Sequence, residues 1–299
     1  MTDYGRPLSF GLSLDPSAAS LDQTRRLARL AEDVGLDLLA VQDHPYQPGH
    51  LDSWTLISSL SVATERISFF TDVADLQLRP PTMLAKAAAS LSVLTDGRIH
   101  LGVGGGAFAD AIASMGGVPR RGGQMVTFTE ESLMLLRAAL AADTVRLQTP
   151  HHSVTGYRAG PRPPKPVGLW LGAQGPKMLA VTGRSADGWV SPLNIYVPPQ
   201  QVPARQQIID EAATAAGRAP ESVRRIYNVI GAIGHFRGAQ GLVGDVRQWV
   251  DTLSEWVVVL GFDTFVFWPV ADHENQLSIF ASEVVPAVRD RVEALRSTR

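Results

Sequence analysis

The segment Asp37 to Val41 is nearly all apolar, yet it runs straight into Gln42, Asp43, His44 and Pro45. An apolar run of that length reads as a strand buried on both faces. A carboxylate and an imidazole at its end call for a reason. An imidazole titrates near neutral pH, so His44 could accept or donate a proton at a reacting group, with Asp43 orienting the ring or holding the loop. The plain alternative is a loop histidine satisfied by backbone groups beside Pro45. His50 and Asp52 lie in the same loop, and with Asp43 and His44 they could supply metal ligands; their spacing matches no metal motif, and no metal is expected.

Two further stretches bear on ligand binding. LGVGGGAF, residues 101 to 108, places Gly102, Gly104 and Ala107 at the G-x-G-x-x-A spacing of a dinucleotide fingerprint. That fingerprint works after the first strand of a βαβ unit, with an acidic residue about 20 residues on. Here it follows the fourth unit, and the acids downstream, Glu130 and Glu131, fall inside a helical pattern. Gly104 and Gly105 are therefore read as a loop that lets backbone approach a ligand, against the simpler reading of a tight turn. In LWLGAQGPKML a strand ends, Ala173, Gln174 and Gly175 turn, and a helix begins at Pro176. Free amides at that helix start could hold an anion, with Lys177 adding charge. An ordinary turn with proline in the first helical position is the alternative. His151 and His152 read as a polar loop, and Arg158, Arg162 and Lys165 as a solvated face unless the segment carrying them folds over a site.

The elements that must position these residues alternate strand and helix along the chain. Strand-like runs at LSFGLSL, DLLAV, ISFFTDV, RIHLGVG, GLWLGA, GWVSP, RIYNVIGAIG and DTFVFW are each followed by a helical pattern. Ser20 could cap the first helix. The last helix is expected from about Glu274 to Leu295. Eight such units predict an α/β fold of the (β/α)₈ barrel type, in which chemistry collects at the carboxyl ends of the strands. Asp43 and His44 would then stand at the barrel mouth. The alternation breaks after the fourth unit, where VRLQ and HSVTGY predict an inserted hairpin followed by the extended GPRPPKP. A doubly wound open sheet is the runner-up. No linker divides the chain, so residues 1 to 299 are expected to form a single domain.

Composition narrows the function classes. With 27 basic and 29 acidic residues the chain has a net charge of -2, which supplies no general field for nucleic acid or an anionic membrane. A small-molecule substrate is the better expectation. The absence of cysteine removes disulfides, thiolate metal sites and a cysteine nucleophile together. The N-terminus lacks a basic region followed by an apolar stretch, and no run reaches the ~18 apolar residues of a membrane span, so a cytoplasmic protein is expected. The expected assembly is a homodimer.

Taken together, AEDVGLDLLAVQDH, TERISFFTDVADLQLRPPTMLAKAAASLSVLTDGRIHLGVGGGAF, PPKPVGLWLGAQGPKMLAVTGRSADGWVSP and GFDTFVFW resemble the luciferase-like flavin and deazaflavin oxidoreductases, especially the branch using coenzyme F420. The resemblance implies a barrel oxidoreductase that passes a hydride between the deazaflavin and a small organic substrate. Asp43 and His44 match the Asp-His pair of deazaflavin-dependent members, in which the histidine lies by the reactive ring. TDVA matches a strand bulge where the family has a non-proline cis peptide behind the ring, which places it at Asp72–Val73. The turn Ala173, Gln174, Gly175, Pro176 and Lys177 matches a phosphate-binding turn, and Gly104 to Ala107 a loop beside the ring. The chain lacks the Asn-Glu pair common in the fourth loop of members that bind flavin mononucleotide (FMN), and Asp72 stands where a small residue is more usual. An FMN-dependent monooxygenase and a barrel that binds the cofactor without catalysis are the rivals. Tyr46, Trp54, Phe108 and Tyr196 are candidate mouth-lining aromatics, which suits a partly apolar substrate.

Overall fold

The computed structural model describes residues 3–141, 144–234, 236 and 238–298. The elements run β1 (Ser9–Leu14), α1 (Leu21–Asp33), β2 (Leu38–Val41), α2 (Ser53–Ser61), β3 (Ser68–Thr71), β4 (Ala74–Asp75), α3 (Pro81–Leu94), β5 (Ile99–Gly104), α4 (Ala109–Ser114) and α5 (Gly122–Leu140). There follow β6 (Thr144–Gln148), β7 (Ser153–Arg158), β8 (Leu169–Gly172), α6 (Pro176–Ser185), β9 (Gly188–Ser191), α7 (Val202–Ala215), β10 (Arg224–Ile233), β11 (Leu242–Gly244), α8 (Val246–Val258), β12 (Thr264–Pro269), α9 (His273–Ile279) and α10 (Val285–Ser297). Parallel pairings join β1 to β2, β2 to β3, β3 to β5, β5 to β8, β8 to β9, β9 to β10, β10 to β12, and β12 back to β1. The eight strands therefore close into a barrel, and the open-sheet alternative does not apply.

Side chains alternate across each strand, so every second residue points inward. Leu38, Ala40, Phe70, Trp170, Val190, Ile226 and Val266 form one buried cluster inside the barrel. Their neighbours Leu39, Val41, Phe69, Leu169, Leu171, Trp189, Tyr227, Phe265 and Phe267 belong to the larger core under the helices. At the amino-terminal end the interior turns polar. Arg224 donates to Ser9 Oγ and Thr264 Oγ1, both at 2.9 Å, and His100 stacks on Trp170 with ring centroids 4.5 Å apart. A cavity of about 610 Å³ opens at this end, lined by Arg6, Asp37, Arg66, His100 and Arg224. It lies at the opposite end of the barrel from Asp43 and His44.

Several boundaries differ from the sequence reading, each for a local reason. Ser20 makes no side-chain cap. The glycine-rich stretch before α5 contains a short helix, α4, which its glycines concealed. The last helical region is α9 and α10 joined by a π turn at Phe280–Val284, which a 3.6-residue period cannot anticipate. Between the fourth and fifth barrel strands, β6 and β7 pair antiparallel and are tied to α5: His151 Nδ1 lies 3.0 Å from Glu131, and His152 Nε2 lies 2.9 Å from Ser132 Oγ. Among the described residues, no helix is long and apolar enough to cross a membrane.

Candidate active site

β2 delivers Asp43 and His44 to the mouth, but the two side chains have different surroundings. Asp43 is buried, with 3% of its surface exposed. Its Oδ2 accepts from Arg79 Nε at 2.7 Å, and its Oδ1 accepts from Arg79 Nη2 at 2.6 Å and Ser53 Oγ at 2.8 Å. A carboxylate engaged by a guanidinium fork and a hydroxyl is a fixed anchor, not a free acid or base. Arg79 also binds Asp52, whose Oδ1 caps α2 by accepting from Thr55 N. Two of the four conceivable metal ligands are thus committed to Arg79, and among the described residues no group of three or more ligating side chains is found.

His44 is half-buried, with Nδ1 2.7 Å from the Tyr46 hydroxyl and its ring 5.9 Å from that of Phe108, edge to face. That leaves Nε2 for a ligand. Burial, reinforced by the nearby His50, holds the His44 pKa below its ordinary value, with Asp43 opposing. The imidazole is therefore neutral at physiological pH and ready to take a proton. Of the four candidate aromatics, Tyr46 and Phe108 gather around His44, with centroids 5.7 Å apart. Trp54 is buried with its indole nitrogen unpartnered, whereas Tyr196 is exposed.

Beside this loop, at the end of the neighbouring β3, Asp72 N donates to Val41 O at 2.8 Å and the peptide Asp72–Val73 is cis. Val73 lies over Gly104 and Gly172. A Cβ on either glycine would come within 2.8 and 2.9 Å, respectively, of Val73 Cγ2. The glycines of β5 and β8 thus make room for the Val73 side chain. Gly105 offers its carbonyl to Gln77 Nε2 at 2.6 Å, which ties the fourth loop to the residues after β4. At the end of β8, Trp189 Nε1 donates to Ala173 O at 2.8 Å and fixes the turn. Gln174, Gly175, Pro176 and Lys177 are exposed, and no side chain caps α6. An uncapped helix start at the carboxyl end of a barrel strand suits a phosphate.

Three partners were not singled out from sequence. Arg79 stands just before the Pro80-Pro81 helix start and reads as a surface residue. Asn228 and Trp268 lie on β10 and β12, where Trp268 Nε1 donates to Asn228 Oδ1 at 3.0 Å. A polar residue at an inward position of an apolar strand was the available signal for Asn228.

The fold and site are those of a closed parallel barrel that carries an imidazole, a cis-peptide bulge and an uncapped helix start at the carboxyl end of its strands. The chain belongs to the luciferase-like monooxygenase family, whose model matches residues 5–238. It is similar to an F420-dependent glucose-6-phosphate dehydrogenase of Amycolatopsis mediterranei (strain U-32), 29% identical over 230 residues, which are 73% of this chain and 67% of that protein. It is also similar to a 5,10-methylenetetrahydromethanopterin reductase of Methanolobus tindarius, 30% identical over 220 residues, covering 72% of this chain but 63% of that protein. The fold is shared with an F420-dependent secondary alcohol dehydrogenase in complex with an F420-acetone adduct, with a TM-score of 0.84, 18% identity, and coverage of 95% of this chain and 100% of the other.

Proposed function

We propose that the protein is a coenzyme F420-dependent oxidoreductase acting on a small organic substrate. The observation that carries this reading is His44, a neutral imidazole with a free Nε2 at the mouth, in a chain whose relatives include an F420-dependent dehydrogenase. The residues present suit the deazaflavin: the uncapped start of α6 would take its phosphate, and Val73, with Gly104 and Gly105 beside it, would support its ring. When bound, the deazaflavin accepts or gives the hydride. His44 takes up or returns the proton at the substrate heteroatom. Asp43 and Arg79 keep the His44 loop in place, while Tyr46 and Phe108 exclude water from around the imidazole. A cytoplasmic homodimer completes the proposal, with the exposed Met83 and Leu94 on one face of α3 as apolar surface that a second copy could cover.

Fluorescence titration against the deazaflavin and FMN tests the cofactor. Tighter binding of the deazaflavin is expected. Preference for FMN with oxygen consumption would instead make the protein a monooxygenase. Deazaflavin binding without single-turnover oxidation of the reduced form by any candidate substrate would make it a binding barrel.

A further inference from the structure

The cavity of about 610 Å³ at the amino ends of the barrel strands is lined by hydrogen-bond donors that lack acceptors. Arg224 engages Ser9 and Thr264 through Nη1, and among the described residues its Nη2 makes no hydrogen bond and is not sealed from solvent. Arg6 Nη1 donates to Glu221 O at 2.8 Å, and Arg66 makes one side-chain hydrogen bond, from Nη2 to Glu32 O at 3.4 Å. A backbone N–H only donates, so the 3.1 Å contact from Gly168 N makes His100 Nδ1 the acceptor and leaves the ring proton on Nε2. Burial, then the charge of Arg224, pushes the His100 pKa down to about 4, which keeps the ring in that neutral form. A Cβ on Gly168 would come within 2.6 Å of Trp170 Nε1 and 3.1 Å of His100 Nδ1, so the glycine leaves this floor uncovered. The carboxylates that line the cavity are already engaged. Asp37 Oδ2 accepts from Phe10 N at 2.8 Å and Arg289 Nη2 at 2.9 Å, and Asp187 accepts from Leu169 N at 3.0 Å and Arg137 Nη2 at 2.8 Å. Asp263 stands 3.5 Å from Arg6 Nε and 3.7 Å from Arg224 Nε, longer than a charge-assisted hydrogen bond.

We propose that this cavity is a second binding site, separate from the mouth, for a phosphate group that is free or carried on a small organic molecule. Arg6, Arg66 and Arg224 supply positive charge, and the His100 N–H adds a directed donor. Guanidinium groups bind phosphate oxygens in pairs, and a phosphate has acceptor oxygens enough for several donors at once. The volume lies within the range of small-molecule pockets, about 300–1,000 Å³, and Leu36, Val167 and Trp170 offer apolar wall to a carbon skeleton. Occupancy does not require the cofactor, since the mouth lies at the other end of the barrel.

The test is titration with inorganic phosphate and with glycerol phosphate, against chloride at the same ionic strength, read by calorimetry and by the ring NMR signals of His100 and His44. Saturable binding that moves the His100 signals is expected. Arg66 is exposed and held by one long hydrogen bond, so Arg66→Ser should fold normally and raise the phosphate Kd by about tenfold. Arg6→Gln is the second variant and should weaken binding in the same direction. Gly175→Asp, which alters the α6 turn at the mouth, should leave the His100 response unchanged. Tighter binding of glycerol phosphate assigns the site to an organic phosphate; equal or weaker binding assigns it to the free ion. A response no greater than that to chloride, a Kd unchanged in both arginine variants, loss of the His100 response in Gly175→Asp, or a titration that moves His44 and not His100 overturns the proposal.

Discussion

Arg79 grips Asp43 with two near-parallel hydrogen bonds and, from the same Nη2, reaches Asp52 Oδ2 at 2.6 Å. One guanidinium thus holds the beginning and the end of the loop that carries His44.

Removing the buried partner should cost stability. Breaking a fully buried pair costs about 3–5 kcal/mol, but Arg79 keeps Asp52 and is partly exposed, so Asp43→Ala is expected to lose roughly 2–3 kcal/mol. Urea denaturation measures this. A loss within about 0.5 kcal/mol would show that the anchor is dispensable.

His44→Asn removes the titrating nitrogen but keeps a polar group. Turnover should fall by about 10² to 10⁴, while deazaflavin affinity changes by less than roughly tenfold. Because burial lowers the His44 pKa, the neutral base form is lost only as pH falls below the ordinary histidine range. For oxidation of a hydroxyl substrate, wild-type kcat should therefore show an acidic limb that the variant lacks. A variant that retains the limb would assign it to another group.

Gly175→Asp probes the helix start. Gly175 has a φ of -81° and nothing within 4 Å of an added Cβ, so the backbone and its surroundings tolerate the change. A carboxylate beside amides that receive a phosphate repels it. Deazaflavin Kd should rise by about tenfold or more with an unchanged melting temperature. Equal affinity would return the turn to an ordinary β8–α6 connection.

Asp72 links stability to pH. Its pKa is about 7 in the fold against 3.8 for the ordinary side chain, so the folded chain holds the extra proton between those values. Stability from the neutral acid is complete below about pH 4 and lost progressively as pH climbs to about 7. The loss is on the order of 4 kcal/mol relative to Asp72→Asn, levelling off above neutrality. Parallel denaturation curves for the two proteins across that range would show the linkage to be absent.

The barrel was legible because eight apolar runs alternate with helical patterns, and because β2 is apolar up to the polar run that begins at Gln42 and carries Asp43 and His44. The anchoring of Asp43 was not legible: its partner Arg79 is 36 residues away, and nothing local distinguishes that arginine from a solvated one. Likewise Asp72 and Asn228 meet across 156 residues, through barrel closure alone. The place of the cis bond came from resemblance, since no propensity of Asp72 or Val73 marks it. Alternation would have put Asp43 and His44 on opposite sides of a continued strand, yet only the closed barrel shows which side faces the mouth.

Gly104 and Gly172, on adjacent strands, leave the wall beneath Val73 without side chains of its own. That wall cannot be diversified by point substitution without displacing Val73. Around His44 the reverse holds: Tyr46 is partly exposed and Phe108 is exposed, so side chains there can change size without pressing on a neighbouring strand.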